Sequence, residues 1–123
     1  MISSKEETQM VLNVYLSRSV DIPDNDRDKV YDFIDREVRN EYENIHDDDV
    51  IQVSSTIDDP PAPPVTLRPK LHHLELAFNK MKDCDIFFLL TGENDEIKPE
   101  SLIEMNAWLY SKGEQPIIRN KIV

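Results

Sequence analysis

The order in which two kinds of apolar pattern follow one another constrains this chain more than any single motif. Four short runs have the length and the β-branched, large-apolar composition of strands: "MVLNVYLS" (Met10–Ser17), "DVIQVSS" (Asp49–Ser55), "CDIFFLLT" (Cys84–Thr91) and a last one around Ile117–Arg119. Between them lie three segments of helical character. Val30, Phe33, Ile34, Val38 and Tyr42 recur at three- and four-residue spacing and mark a helix from about Asp26 to Glu43. Leu71, Leu74, Phe78 and Met81, with Ala77 on the same face, mark a second. The third carries Glu104 and stops at Gly113. Strand and helix alternating in this way imply right-handed crossovers and a parallel sheet covered on both faces. The expected fold is a single three-layer α/β domain with a mainly parallel, Rossmann/flavodoxin-like sheet of four or five strands.

At 123 residues, 39% of them hydrophobic, the chain is the size of one domain with one interior. Residues 10–123 form that domain, after a polar, flexible stretch over 1–9. With 25 acidic and 14 basic residues the net charge is −11, which argues against phosphate-backbone binding and against an anionic membrane surface. No nucleic acid and no membrane are therefore expected as partners, and the acidity reads as a solubility feature. The lone Cys84 forms no internal disulfide and suits a reducing compartment. No apolar run approaches a membrane span, and Met1–Met10 lacks the hydrophobic centre of a signal peptide. A cytoplasmic location is the simplest expectation.

In open parallel sheets, ligands bind beyond the carboxyl ends of the strands. Three segments should meet there: Ser17–Asp21, the proline-rich "TIDDPPAPPVT" (Thr56–Thr66), and Thr91–Glu104. The proline-rich stretch reads as an extended connector or a loop bordering a site. Arg18, with Ser17 and Ser19, could hold a phosphate at the first strand end; Arg68 has a weaker claim. There is no Gly-x-Gly-x-x-Gly or Walker loop, and no cofactor is expected. His72 and His73 are adjacent, hence about 100° apart on a helix, and His46 precedes solvated loop acids. No metal is expected, and Cys84 reads as a buried, inert thiol.

Glu104 admits two readings. Ser101-x-x-Glu104 before an apolar run is the capping-box pattern, and a helical wheel places Glu104 on a narrow polar stripe beside Glu100 and Ser111. Pro99 complicates the cap, because proline favours the first helical position. The other reading uses the position of this helix start, after the most hydrophobic strand, at the ligand-binding edge. A carboxylate there can meet a sugar and stabilise, or attack, an anomeric carbon as an N-glycosidic bond breaks. The same wheel puts Asn106 inside the apolar arc, between Leu102 and Tyr110, and Trp108 at its half-buried edge.

The pattern "VYLSRS", a helix, then "LAFNKMKDCDIFFLLTG" and "SLIEMNAWLYSKGEQPII" resembles the nucleoside 2-deoxyribosyltransferase-like proteins over nearly the whole chain. These transfer deoxyribose between bases or hydrolyse deoxynucleoside monophosphates. The resemblance implies a small-molecule nucleoside or nucleotide as partner, Glu104 as the catalytic glutamate, Tyr15 as the tyrosine near it, and a homodimer. Asp85 fits the aspartate of the pattern, with a mainly structural role. The chain departs from the pattern at three places: Ala77, with only Glu75 close by, where the resemblance implies a helix aspartate to assist the departing base, Asn106 in place of a glycine, and Ser17-Arg18 in place of Ala-Gly. "MKDCDIFFLLTGENDEIKPESLIEMNAW" also resembles the end of TIR-like domains, which often hydrolyse NAD. Both resemblances direct Glu104 at an N-riboside; a non-catalytic nucleotide sensor or adaptor on the same fold is the reading from another class.

Overall fold

A computed structural model describes residues 10–20, 22–55 and 69–120. The expectations placed on residues 1–9, on the proline-rich stretch and on Arg68 lie outside them. The strands are β1 (Val11–Arg18), β2 (Val50–Ser54), β3 (Ile86–Leu90) and β4 (Ile117–Arg119). The helices are α1 (Arg27–Glu41), α2 (Pro69–Met81) and α3 (Pro99–Lys112), and a single 3-10 turn, Asp24–Asp26, leads into α1. All four strands are parallel, in the order β2-β1-β3-β4. This is the expected α/β domain of Rossmann/flavodoxin type.

The period of two along each strand divides the interior into two layers. On one face Val14 and Leu16 of β1, Ile86, Phe88 and Leu90 of β3, and Ile117 of β4 pack against Val30, Phe33, Ile34 and Val38 of α1. On the other face Tyr15, Phe87 and Leu89 meet Ala77 and Met81 of α2, Cys84, and Trp108 of α3. Every residue of β3 is buried, as a central strand covered on both faces requires. Phe87 links the second layer. Its ring centroid lies 5.6 Å from that of Tyr15 and 5.7 Å from that of Trp108.

Polar contacts fix the amino ends of the strands. Asp85 N–H donates to the Asn13 carbonyl at 2.7 Å, and Asn13 N–H donates to Asp85 Oδ2 at 2.9 Å. Asp49 accepts from the backbone N–H of Met10 (2.9 Å) and of His46 (2.8 Å). Edge strand β4 is tied to α1 through Arg119, whose Nε donates to Glu37 Oε1 at 2.7 Å.

The third helix turns an unexpected face to the sheet. Lys98 is its N-cap and Pro99 its first helical residue, which suits the fixed φ and missing N–H of proline. Ser101 therefore lies inside the first turn and makes no cap; no side-chain capping bond is formed. Ser101, Glu104 and Trp108 face inward, while Leu102, Ile103, Leu109 and Tyr110 are exposed. Asn106 is exposed with them, not buried within an apolar arc. Trp108 is fully buried, and its indole N–H donates to the Glu114 carbonyl at 3.0 Å. Gly113, at φ +69°, ends the helix in the left-handed conformation glycine tolerates.

Candidate active site

In a sheet of this order the chain leaves the carboxyl ends of β1 and β3 in opposite directions, and the crevice between them is where such folds receive ligands. Ser17 on β1 pairs with Leu89 on β3 at that edge. The segment after β3 runs through Thr91–Lys98 into α3, which packs over both strands. Glu104 comes from the second turn of α3. The strand period puts Tyr15 and Ser17 on the same face of β1, directed toward α3.

Those three side chains meet. The Ser17 hydroxyl donates to Glu104 Oε1 at 2.8 Å, and the Tyr15 hydroxyl donates to the same oxygen at 3.2 Å. Among the described residues no hydrogen bond reaches Oε2. Glu104 is 9% exposed, Ser17 and Tyr15 still less. Burial holds the Glu104 carboxyl above its ordinary range. The two hydroxyls pull it back down, Glu100 adds to the rise, and Arg18 opposes it. A buried carboxylate with one oxygen anchored and no donor from the described residues on the other is equipped to act as a nucleophile, or to stabilise a developing positive charge.

The site opens into a cleft of about 250 Å³ lined by Leu16, Ser17, Arg18, Lys98, Glu100, Ser101 and Glu104. Of the residues expected to meet a ligand, Ser17 and Arg18 line this cleft, with Ser17 already bonded to Glu104. Ser19 Oγ accepts from the Lys98 backbone N–H at 2.9 Å and so joins the loop after β1 to the start of α3. Ser101 Oγ donates to the Arg18 carbonyl at 3.1 Å and makes a second tie between the same elements. Lys98 and Ser101 were not singled out by sequence reasoning as cleft residues. Both belong to the Thr91–Glu104 segment expected at this edge, but Ser101 was read as a helix cap and Lys98 was given no role.

A larger hollow, about 500 Å³, lies at the opposite, amino end of the sheet beside Tyr42, Glu41, Glu43, Asp49, Asp85 and Glu114. Size alone would choose it over the smaller cleft. Two of its carboxylates, however, are engaged by backbone N–H groups that hold the strands together. Among the described residues, no group of three or more His, Cys, Asp and Glu side chains is placed to hold a metal ion. Cys84 is buried, its thiol donates to the Lys80 carbonyl at 3.3 Å, and burial pushes its pKa up to about 11. Among the described residues no helix is long and apolar enough to cross a membrane.

Fold and site together define an α/β domain of Rossmann/flavodoxin type with a hydrogen-bonded, buried glutamate at the carboxyl edge of its sheet. Comparison with protein-family models, with curated proteins and with solved structures gives no match.

Proposed function

We propose that this protein processes the N-glycosidic bond of a nucleoside or nucleotide, as a deoxyribosyltransferase-like or deoxynucleoside monophosphate N-glycosidase-like enzyme. The observation that carries the reading is the buried Glu104 held through one oxygen by Tyr15 and Ser17 at the ligand-binding edge. Carboxylates serve oxocarbenium-like transition states in this way elsewhere. In the proposed reaction Glu104 Oε2 attacks the anomeric carbon and the electrons of the C–N bond pass to the base nitrogen, which takes a proton from solvent. Water or an incoming base then attacks the same carbon and returns the carboxylate. Tyr15 orients Glu104, and Arg18 at the cleft rim suits a phosphate on the sugar.

The substrate is a small molecule, no cofactor takes part, and the enzyme works in the cytoplasm as a homodimer. The uncharged, exposed face of α3 (Leu102, Ile103, Asn106, Leu109, Tyr110) supports the dimer.

The burial of Ala77 in the same cluster as Tyr15 favours a second reading. It leaves an apolar methyl near the position where the resemblance calls for a base-protonating acid, and so supports a non-catalytic nucleotide-binding module. One experiment separates these readings. The protein is incubated with deoxynucleosides, their 5′-monophosphates and NAD, and released base is followed by chromatography. Release from the deoxy compounds supports the proposal, and release from NAD alone supports a TIR-like hydrolase. Binding without release supports the module.

A further inference from the structure

We propose that Ser17 is a positioning residue for Glu104, fixing the carboxylate with Oε1 turned to the sheet and Oε2 left for the cleft. The inference rests on the reading of Glu104 as the reacting group and adds a part that strand β1 of this chain supplies.

Ser17 makes the shorter of the two bonds to Oε1, 2.8 Å against 3.2 Å for Tyr15. It is 2% exposed, sits on a paired strand, and lines the cleft next to Glu104. A serine hydroxyl has one proton to give. Given to Glu104, that proton is not available to a ligand, so toward the cleft Ser17 acts only as an acceptor. Two donors on one oxygen hold the carboxylate in a single orientation and stabilise its ionised form where burial disfavours it. Among the described residues, the other charged or titratable groups around Glu104 are Tyr15 and Arg18 from β1, Glu100 on α3 and Lys98 at its N-cap. On the α2 side the described members of the cluster are Ala77 and Met81, which do not titrate, and Cys84 just beyond the helix, whose thiol burial keeps protonated with a pKa of about 11. Ser17, with Tyr15, therefore tunes the ionisation of Glu104 without adding charge to the cleft, and Ser17 makes the shorter bond.

The test is a titration of the Glu104 carboxyl by carbon-13 NMR in protein labelled at glutamate, with Glu104→Gln to assign the signal. Ser17→Ala is expected to raise the midpoint by about one unit, a tenfold rise in proton affinity. Ser17→Thr, which keeps the hydroxyl, is expected to restore it. If Ser17→Ala fails to fold, Ser17→Cys keeps the bulk with a weaker donor and should give a smaller rise. Where base release is measurable, the acid limb of the kcat profile should move with the same midpoint while KM stays within about twofold. A midpoint unchanged in Ser17→Ala, or in a folded Ser17→Cys, overturns the inference, as does a shift that threonine does not reverse. A midpoint that moves as expected in a protein releasing no base supports the positioning role and removes the enzymatic reading, so the two fail separately.

Discussion

A glutamate placed in a protein interior weakens the fold unless something compensates for the water it loses. Glu104 is compensated in part by Ser17 and Tyr15, and burial still leaves its carboxyl above the ordinary range. The folded chain therefore holds that proton more tightly than the unfolded chain. Stability consequently falls as pH rises from the ordinary value near 4.5 through the folded one, and the full penalty applies above it. Glu104→Gln keeps an oxygen for both hydroxyls and removes the buried charge. It is expected to melt at a higher temperature than the parent near neutral pH, with the gain shrinking as pH falls through the folded value and levelling off below the ordinary one. Calorimetry across pH checks this; a gap that stays constant or widens toward acid would contradict it. At this scale the sequence was half legible. Tyr15 and Glu104 were singled out as a pair, yet Glu104 was placed by its wheel on a solvent stripe. No periodicity reveals that Ser17 and Tyr15, two apart on a strand, will face a carboxylate eighty-odd residues away.

Helix α3 shows how an element can turn against its own hydrophobic pattern. Judged by residue type, the arc around Leu102, Ile103, Leu109 and Tyr110 should face the sheet; in the structure it faces solvent, with Tyr110 96% exposed. The inward face is set by the Trp108 ring on Phe87 and by hydrogen bonds from Ser101, Ser17 and Tyr15 across the helix–strand junction. Ring burial and charge-assisted bonds outweigh four exposed apolar side chains, and a single-helix wheel cannot weigh them. Phe87→Ala removes the ring between Tyr15 and Trp108 and is expected to cost about 3–5 kcal/mol in denaturant unfolding. Ser101→Ala removes the tie to the Arg18 carbonyl and is expected to cost about 0.5–1.5 kcal/mol. A loss below the resolution of the unfolding measurement would show that this tie is replaced by water.

Across the whole molecule, the order of elements was legible because strand and helix patterns differ in period and the runs are separated by unmistakable turns. Which strand ends bring the candidate residues together followed from the parallel topology. At the opposite end, Asp49 gives the fold an acid sensitivity of the sign opposite to that of Glu104. Backbone N–H groups of His46, then of Met10, hold its carboxyl below the ordinary 3.8. Its contribution is present above that value and lost as pH falls through the folded one. Asp49→Asn is expected to lower the melting temperature near neutral pH, with the difference closing in acid; a pH-independent difference would assign the effect to packing. The exposed face of α3 is tested by sedimentation: if it joins two copies, Leu102→Glu with Tyr110→Glu yields a monomer, and an unchanged mass assigns the interface elsewhere. The central claim is that Glu104 carries the chemistry, and the most direct measurement is base release from the best substrate of the panel by the parent and by folded Glu104→Gln. Release that falls by about a thousandfold or more in the variant is the expected result, and release that continues at the parental rate would contradict it.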